Sequence, residues 1–174
     1  MRPSSQIALF LVALSIPMEG CDDALTVSRD LSAPMQTDTL LYTIRLNGSL
    51  YETTTPIRYV YTNPTSATLY VEATCGGYAP PSLEKFEGGT WVFAWGAAVG
   101  ACKGPSITIA AGQSHNDSLS VGGGAPSSNV FPKFLVKDIP GIYRLVWDGV
   151  AATPGGAEIP LEQRVSNRFV LASP

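Results

Sequence analysis

Beyond residue 38 the chain is broken at short intervals by turn-forming residues, and between the breaks apolar and polar side chains alternate one for one. Pro56–Thr62 (PIRYVYT) sets Ile57, Tyr59 and Tyr61 on one face and Arg58, Val60 and Thr62 on the other. A period of two is that of a strand, because successive side chains leave opposite faces of the backbone. Ala67–Thr74 (ATLYVEAT) repeats the pattern, with Leu69 and Val71 opposing Tyr70 and Glu72. The 17 glycines and 14 prolines punctuate such segments, and both residue types belong to turns far more than to helix interiors. After the first twenty residues no Ala/Leu/Glu/Lys-rich stretch of helical length occurs. The chain is therefore read as all-β.

Other segments extend the series. Thr39–Leu46 runs through Asn47-Gly48 into Ser49–Thr54. Leu83–Phe86 and Thr90–Trp95 flank Glu87-Gly88-Gly89, where glycine tolerates the positive φ of a tight hairpin. Ser106–Ile109, Ser114–Val121, Gly141–Val150 and Val165–Leu171 follow, while Gly122–Ser128 (GGGAPSS) is read as a flexible loop unable to hold a strand. Seven or eight short strands in 174 residues fit one domain, an antiparallel β-sandwich or small barrel. A single sheet of that size would leave an apolar face in water.

The N-terminus carries a different signal. Arg2 precedes an unbroken apolar run, Ile7–Ile16, too short for a bilayer span of about 20 residues but suited to the core of a secretion signal. Residues 1–20 are read as a signal peptide. The sequence MEGC at Met18–Cys21 resembles the lipobox of bacterial lipoproteins, although Met18 and Glu19 depart from the usual Leu and Ala or Ser. The resemblance implies cleavage before Cys21, acylation of that residue, and a membrane anchor. Asp22-Asp23 resembles an inner-membrane retention mark of some diderm bacteria, a rule that does not transfer to all, so the choice of membrane stays open. Residues 21–37 are read as lipidated cysteine and tether, and 38–174 as the folded domain.

Three cysteines in an exported chain leave one odd thiol. If Cys21 carries lipid, Cys75 and Cys102 remain as one pair, which an oxidising compartment favours as a disulfide; two separate buried thiols are the alternative. Neither has the neighbouring histidine or CxxC spacing of a metal site, and no metal or cofactor is assigned.

Four pieces in order make the sandwich similar to bacterial immunoglobulin-like domains of envelope lipoproteins. They are Tyr59–Thr65, Leu83–Phe86 with Trp91-Val92, Ile107–Ser114 with Leu119–Val121, and Ile139–Leu145 with Val165–Val170. In that resemblance Tyr143 takes the place of a tyrosine corner, its phenol bonding back to upstream backbone. These motifs imply a fold and no chemistry.

Converging chemistry is not found. His115, the only histidine, lies in Ser114–Asp117, where adjacent side chains diverge and cannot form a triad; it is read as a solvated turn residue. The acids are dispersed, and the basic residues are scattered rather than clustered as a nucleic-acid footprint requires. No catalytic residue is assigned, and the chain is read as no enzyme. Trp91, Phe93 and Trp95 fall on one face of a strand with Tyr78 nearby, either as core packing or as an exposed shelf for a glycan or peptide. Trp91, Trp95 and Tyr78 are thus candidate surface residues, beside loops at Cys75–Pro81 and Gly96–Pro105. The expectation is a non-catalytic envelope module with a protein or glycan partner. The alternatives are an extracellular proteinase inhibitor and a carbohydrate-binding or carbohydrate-active domain.

Overall fold

The computed structural model describes residues 27–174; the expected signal peptide and Cys21 lie outside them. The chain is all-β. Its strands are β1 (Met35–Thr37), β2 (Leu41–Asn47), β3 (Leu50–Thr53), β4 (Ile57–Thr62), β5 (Leu69–Val71), β6 (Ser82–Glu87) and β7 (Thr90–Trp95). There follow β8 (Ile107–Ile109), β9 (Ser114–Leu119), β10 (Gly122–Gly124), β11 (Gly141–Val146), β12 (Val150–Ala151) and β13 (Phe169–Ala172). Several are only two or three residues long, below what a periodicity reading detects, which is why the described residues hold more strands than the seven or eight expected.

One layer is a seven-stranded sheet in the order β10-β3-β2-β13-β11-β6-β7. All its pairings are antiparallel except β13 with β2. The other layer holds two three-stranded sheets, β1-β4-β9 and β12-β5-β8. These are two stretches of one bent ribbon, since Thr62 faces Ser114 at the end of one and Leu69 faces Ile109 at the start of the next. The bend is pinned by Asn63, whose buried amide donates to the carbonyls of Ala67 (2.8 Å) and Ile109 (2.9 Å). Between the layers a single apolar cluster includes Met35, Ile44, Ile57, Tyr61, Leu83, Leu145, Trp147 and Phe169.

The folded domain begins ahead of Asp38. Met35 is fully buried, and β1 pairs with β4. Asn167 ties the strand in place, with its side chain accepting from Thr37 N (2.7 Å) and its backbone N–H donating to Met35 O (3.0 Å). The sequence 22–37 is polar enough to read as tether, and only the three-residue pairing at its end contradicts that.

Gly122–Ser128 also departs from expectation, because Gly122–Gly124 is a strand paired with β3. A Cβ on Gly123 would lie 2.8 Å from Pro132 O and 3.0 Å from Trp95 Nε1. The absence of side chains is what lets this strand pass against both. Pro132–Leu135 then bridges the sheet's two edges through Gly124 N to Pro132 O (2.9 Å), Phe134 N to Gly124 O (3.0 Å) and Leu135 N to Ala94 O (2.8 Å).

At the start of β11, Tyr143 donates its phenol hydrogen to Ile139 O, four residues upstream, the bond expected of a tyrosine corner. Beside it the buried Lys85 donates to Glu87 (2.8 Å) and to Asp138 O.

Candidate functional site

The loops Ala73–Pro81 and Gly96–Ser106 leave the same end of the sandwich and are clamped together. Cys75 and Cys102 form a disulfide with 5.5 Å between their Cα atoms. The clamp spans loops rather than facing strands, and it encloses the whole β6–β7 hairpin. Backbone bonding reinforces it: Gly104 N donates across to Ala73 O (2.8 Å), and within the first loop Thr74 N donates to Tyr78 O (3.0 Å). The two loops approach so closely that a Cβ on Gly104 would sit 2.1 Å from Thr74 O. Lys103 pairs with Glu72 at 3.1 Å across the outer rim. The inner side is anchored to the core by Trp147, whose indole donates to Ala79 O at 2.6 Å.

The loops enclose a cleft of about 430 Å³. Its floor and walls are Tyr78, Pro80, Pro81, Phe93, Ala97 and Val99, and its rim carries Glu72, Lys103 and Asp148. Phe93 and Val99 are each 50% exposed and Tyr78 is 39% exposed. Such a cluster of uncovered apolar side chains in a concavity is unusual for a free surface and typical of a binding site. Both rim acids are already paired, Glu72 with Lys103 and Asp148 with Arg164 (2.9 Å). The cleft therefore presents apolar area and little net charge.

The candidate surface residues separate. Tyr78 lines the cleft. Trp95 is 2% exposed and belongs to the core, its indole N–H donating to Gly122 O at 3.1 Å. The cause is a β-bulge. Leu83 faces Trp95 and Glu84 faces Phe93, so Ala94 is an extra residue and Ala94 and Trp95 both turn inward. Alternation had placed Trp95 with Trp91 and Phe93, and the bulge reverses it. Trp91 stays on the outer face, half-buried, but its ring is occupied: the guanidinium of Arg144 lies 4.4 Å from its centroid and that of Arg168 5.6 Å away. Neither tryptophan offers a bare platform for a sugar ring.

His115 is a strand residue rather than a turn residue. It sits on β9 with its ring 5.4 Å from Trp147, half-buried. Phe93, on the aromatic face read as core or shelf, and Val99, in the loop Gly96–Pro105 read as a candidate surface, complete the cleft; that the two meet is not visible in the sequence. Among the described residues no group of three His, Cys, Asp or Glu is placed to hold a metal ion.

Comparison of the chain with protein-family models, with curated proteins and with solved structures finds no match.

Proposed function

We propose that this chain is a non-catalytic binding module of the cell envelope: exported, anchored to a membrane through Cys21, and engaging a protein partner through the disulfide-clamped cleft. The observation that carries the binding role is the cleft itself, where Tyr78 and Val99 on the two loops and Phe93 on β7 stay uncovered although the loops are tied by a disulfide and a backbone hydrogen bond. A rigid apolar concavity loses little conformational freedom when a partner docks, which lowers the ordering cost of binding. Two features support export, the disulfide, which persists in oxidising compartments, and the lipobox-like MEGC at Met18–Cys21. An immunoglobulin-like ancestry is part of the same proposal and is supported by the bond from Tyr143 to Ile139 O at the sheet corner.

The test is site-specific photo-crosslinking in the envelope, with the probe at position 99 and, as control, at Leu41, which is exposed and outside the cleft. The expected result is one saturable protein adduct from position 99, abolished by Phe93→Asp and absent from position 41. Equal labelling from both positions would contradict the binding role.

A further inference from the structure

The segment from Phe131 to Lys137 runs along the outside of the fold, bonded to Gly124 on β10 and to Ala94 on β7, the two edge strands of the seven-stranded sheet. Burial alternates along it. Phe134 and Val136 point into the core, while the opposite row reads Phe131, Lys133, Leu135, Lys137. Phe131 is 75% exposed and Leu135 56%. Lys137 is exposed, and Lys133 is half-buried with its Nζ donating to Ser128 O at 3.4 Å. Two more exposed apolar side chains adjoin the row, Leu50 and Val130. Gly124 faces Leu50 across the β3–β10 pair, and a Cβ on Gly124 would lie 2.8 Å from Val130 Cβ.

Neither Lys133 nor Lys137 has a carboxylate within ion-pair distance among the described residues. Glu52, which shares a recess with Pro132, is taken up by Arg45 (3.1 Å) and Asn47 (3.0 Å), and Glu87 by Lys85 (2.8 Å). Asp138, next along the chain, offsets one of the two lysines, so the row keeps an excess of positive charge in a chain of formal charge −3. Exposed apolar area marks a protein or a membrane contact. Lysines without partner carboxylates, set between apolar side chains that protrude rather than enclose, favour the membrane. In a bilayer interface the phenylalanine and leucine pass the headgroups, while the lysine stems lie along them and lift their ammonium groups to the phosphates.

The expected anchor brings this surface within reach of a bilayer. Cys21 precedes Met35, the first buried residue among those described, by 14 residues. That length of chain spans at most about 50 Å, against a domain width of about 40 Å. A domain so tethered meets the membrane at an effective concentration on the order of millimolar, and a patch of weak affinity then suffices to lay it down. We propose that the row from Phe131 to Lys137, with Leu50 and Val130, is a docking surface for an anionic lipid bilayer and orients the domain on its membrane. The assignment rests on the anchor at Cys21. None of these residues lines the cleft.

The experiment imposes the anchor chemically. Cys21 is the one cysteine outside the disulfide, so the full chain is coupled through it to a maleimide lipid in vesicles, whatever its acylation in the cell. A benzophenone amino acid replaces Phe131, or, in a control chain, Val60, which is exposed on β4 in the other layer. Lipid adducts are counted by mass. Position 131 is expected to label lipid in vesicles of phosphatidylethanolamine and phosphatidylglycerol and only weakly in phosphatidylcholine, with position 60 at background in both. Lys133→Glu together with Lys137→Glu should lower labelling from position 131 about tenfold or more. Lys137→Glu alone, on an exposed side chain, should lower it by a smaller factor with Tm unchanged. Equal labelling from positions 131 and 60, or labelling from 131 indifferent to both lysine variants, would overturn the docking surface. Labelling as strong in phosphatidylcholine would overturn its preference for anionic lipid. Failure of the anchor itself shows separately, as an unacylated Cys21 in the intact mass of the native protein.

Discussion

Replacing Cys75 and Cys102 together by serine tests how much of the domain depends on the clamp. The two cysteines are 27 residues apart, and for a loop of that length the chain-entropy relation gives about 3.5 kcal/mol of stabilisation at room temperature. Both side chains are exposed, so serine introduces no buried polar group and leaves no cavity to complicate the figure. The enclosed β6–β7 hairpin keeps its ladder to β11, so the native sheet survives and the loss falls on the unfolded ensemble and on the loops. For a domain of this size, about 3.5 kcal/mol corresponds to a fall of roughly 10 °C in Tm. The assay is equilibrium urea unfolding followed by tryptophan fluorescence, with native-state hydrogen exchange alongside. The amide of Gly104, which bonds across the two loops to Ala73 O, should lose protection before those of β11. A stability loss below about 1 kcal/mol, or unchanged exchange at Gly104, would refute the reasoning.

Three further outcomes are expected. Gly104→Ala forces a Cβ to 2.1 Å from Thr74 O, so the loops must part at a cost of about 1–3 kcal/mol, readable in the same unfolding assay, with the crosslink from position 99 reduced. Tyr143→Phe removes the bond to Ile139 O and leaves that buried carbonyl without it, costing about 1–3 kcal/mol; stability equal to the parent would show the corner to be idle. Alkaline pH should unfold the domain, because burial pushes the phenols of Tyr42, Tyr59 and Tyr143 up and that of Tyr61 up to about 12. Groups whose pKa is raised on folding stabilise the native state fully below the unfolded value near 10, and lose that contribution as pH climbs through the folded value. Phenolate absorbance should therefore rise together with the loss of native fluorescence above about pH 10, rather than ahead of it.

What the sequence discloses here follows the strength of its local periodicity. β4 reads off the page because three aromatic or aliphatic residues recur on one face with nothing to interrupt them. The pairing of Cys75 with Cys102 follows from cysteine arithmetic, and the position of Tyr143 from the Pro-Gly-x-Tyr step at Pro140–Tyr143. Trp95 was not legible, because one inserted residue at a bulge reverses every facing assignment beyond it. The glycine strand Gly122–Gly124 was hidden for the opposite reason: its fitness comes from Trp95 and Pro132, which are distant in sequence and close in space. From the sequence His115 reads as a solvated turn residue and Asp117 as one of the dispersed acids, because nothing in their own segment shows what faces them. Only the register with Tyr61 and Tyr59 turns them inward. The loops of the cleft and the aromatic face bearing Phe93 could be named, but not that the bulge leaves Phe93 beside those loops while Trp95 turns inward.

The claim that unites these observations is an anchored, exported sandwich, and the non-reduced intact mass of the protein taken from its native membranes tests it most directly. The account predicts a chain beginning at Cys21, heavier by its acyl groups and lighter by the two hydrogens of the Cys75–Cys102 bond. An unacylated chain recovered outside the membrane fraction, or one with all three thiols free, would contradict it.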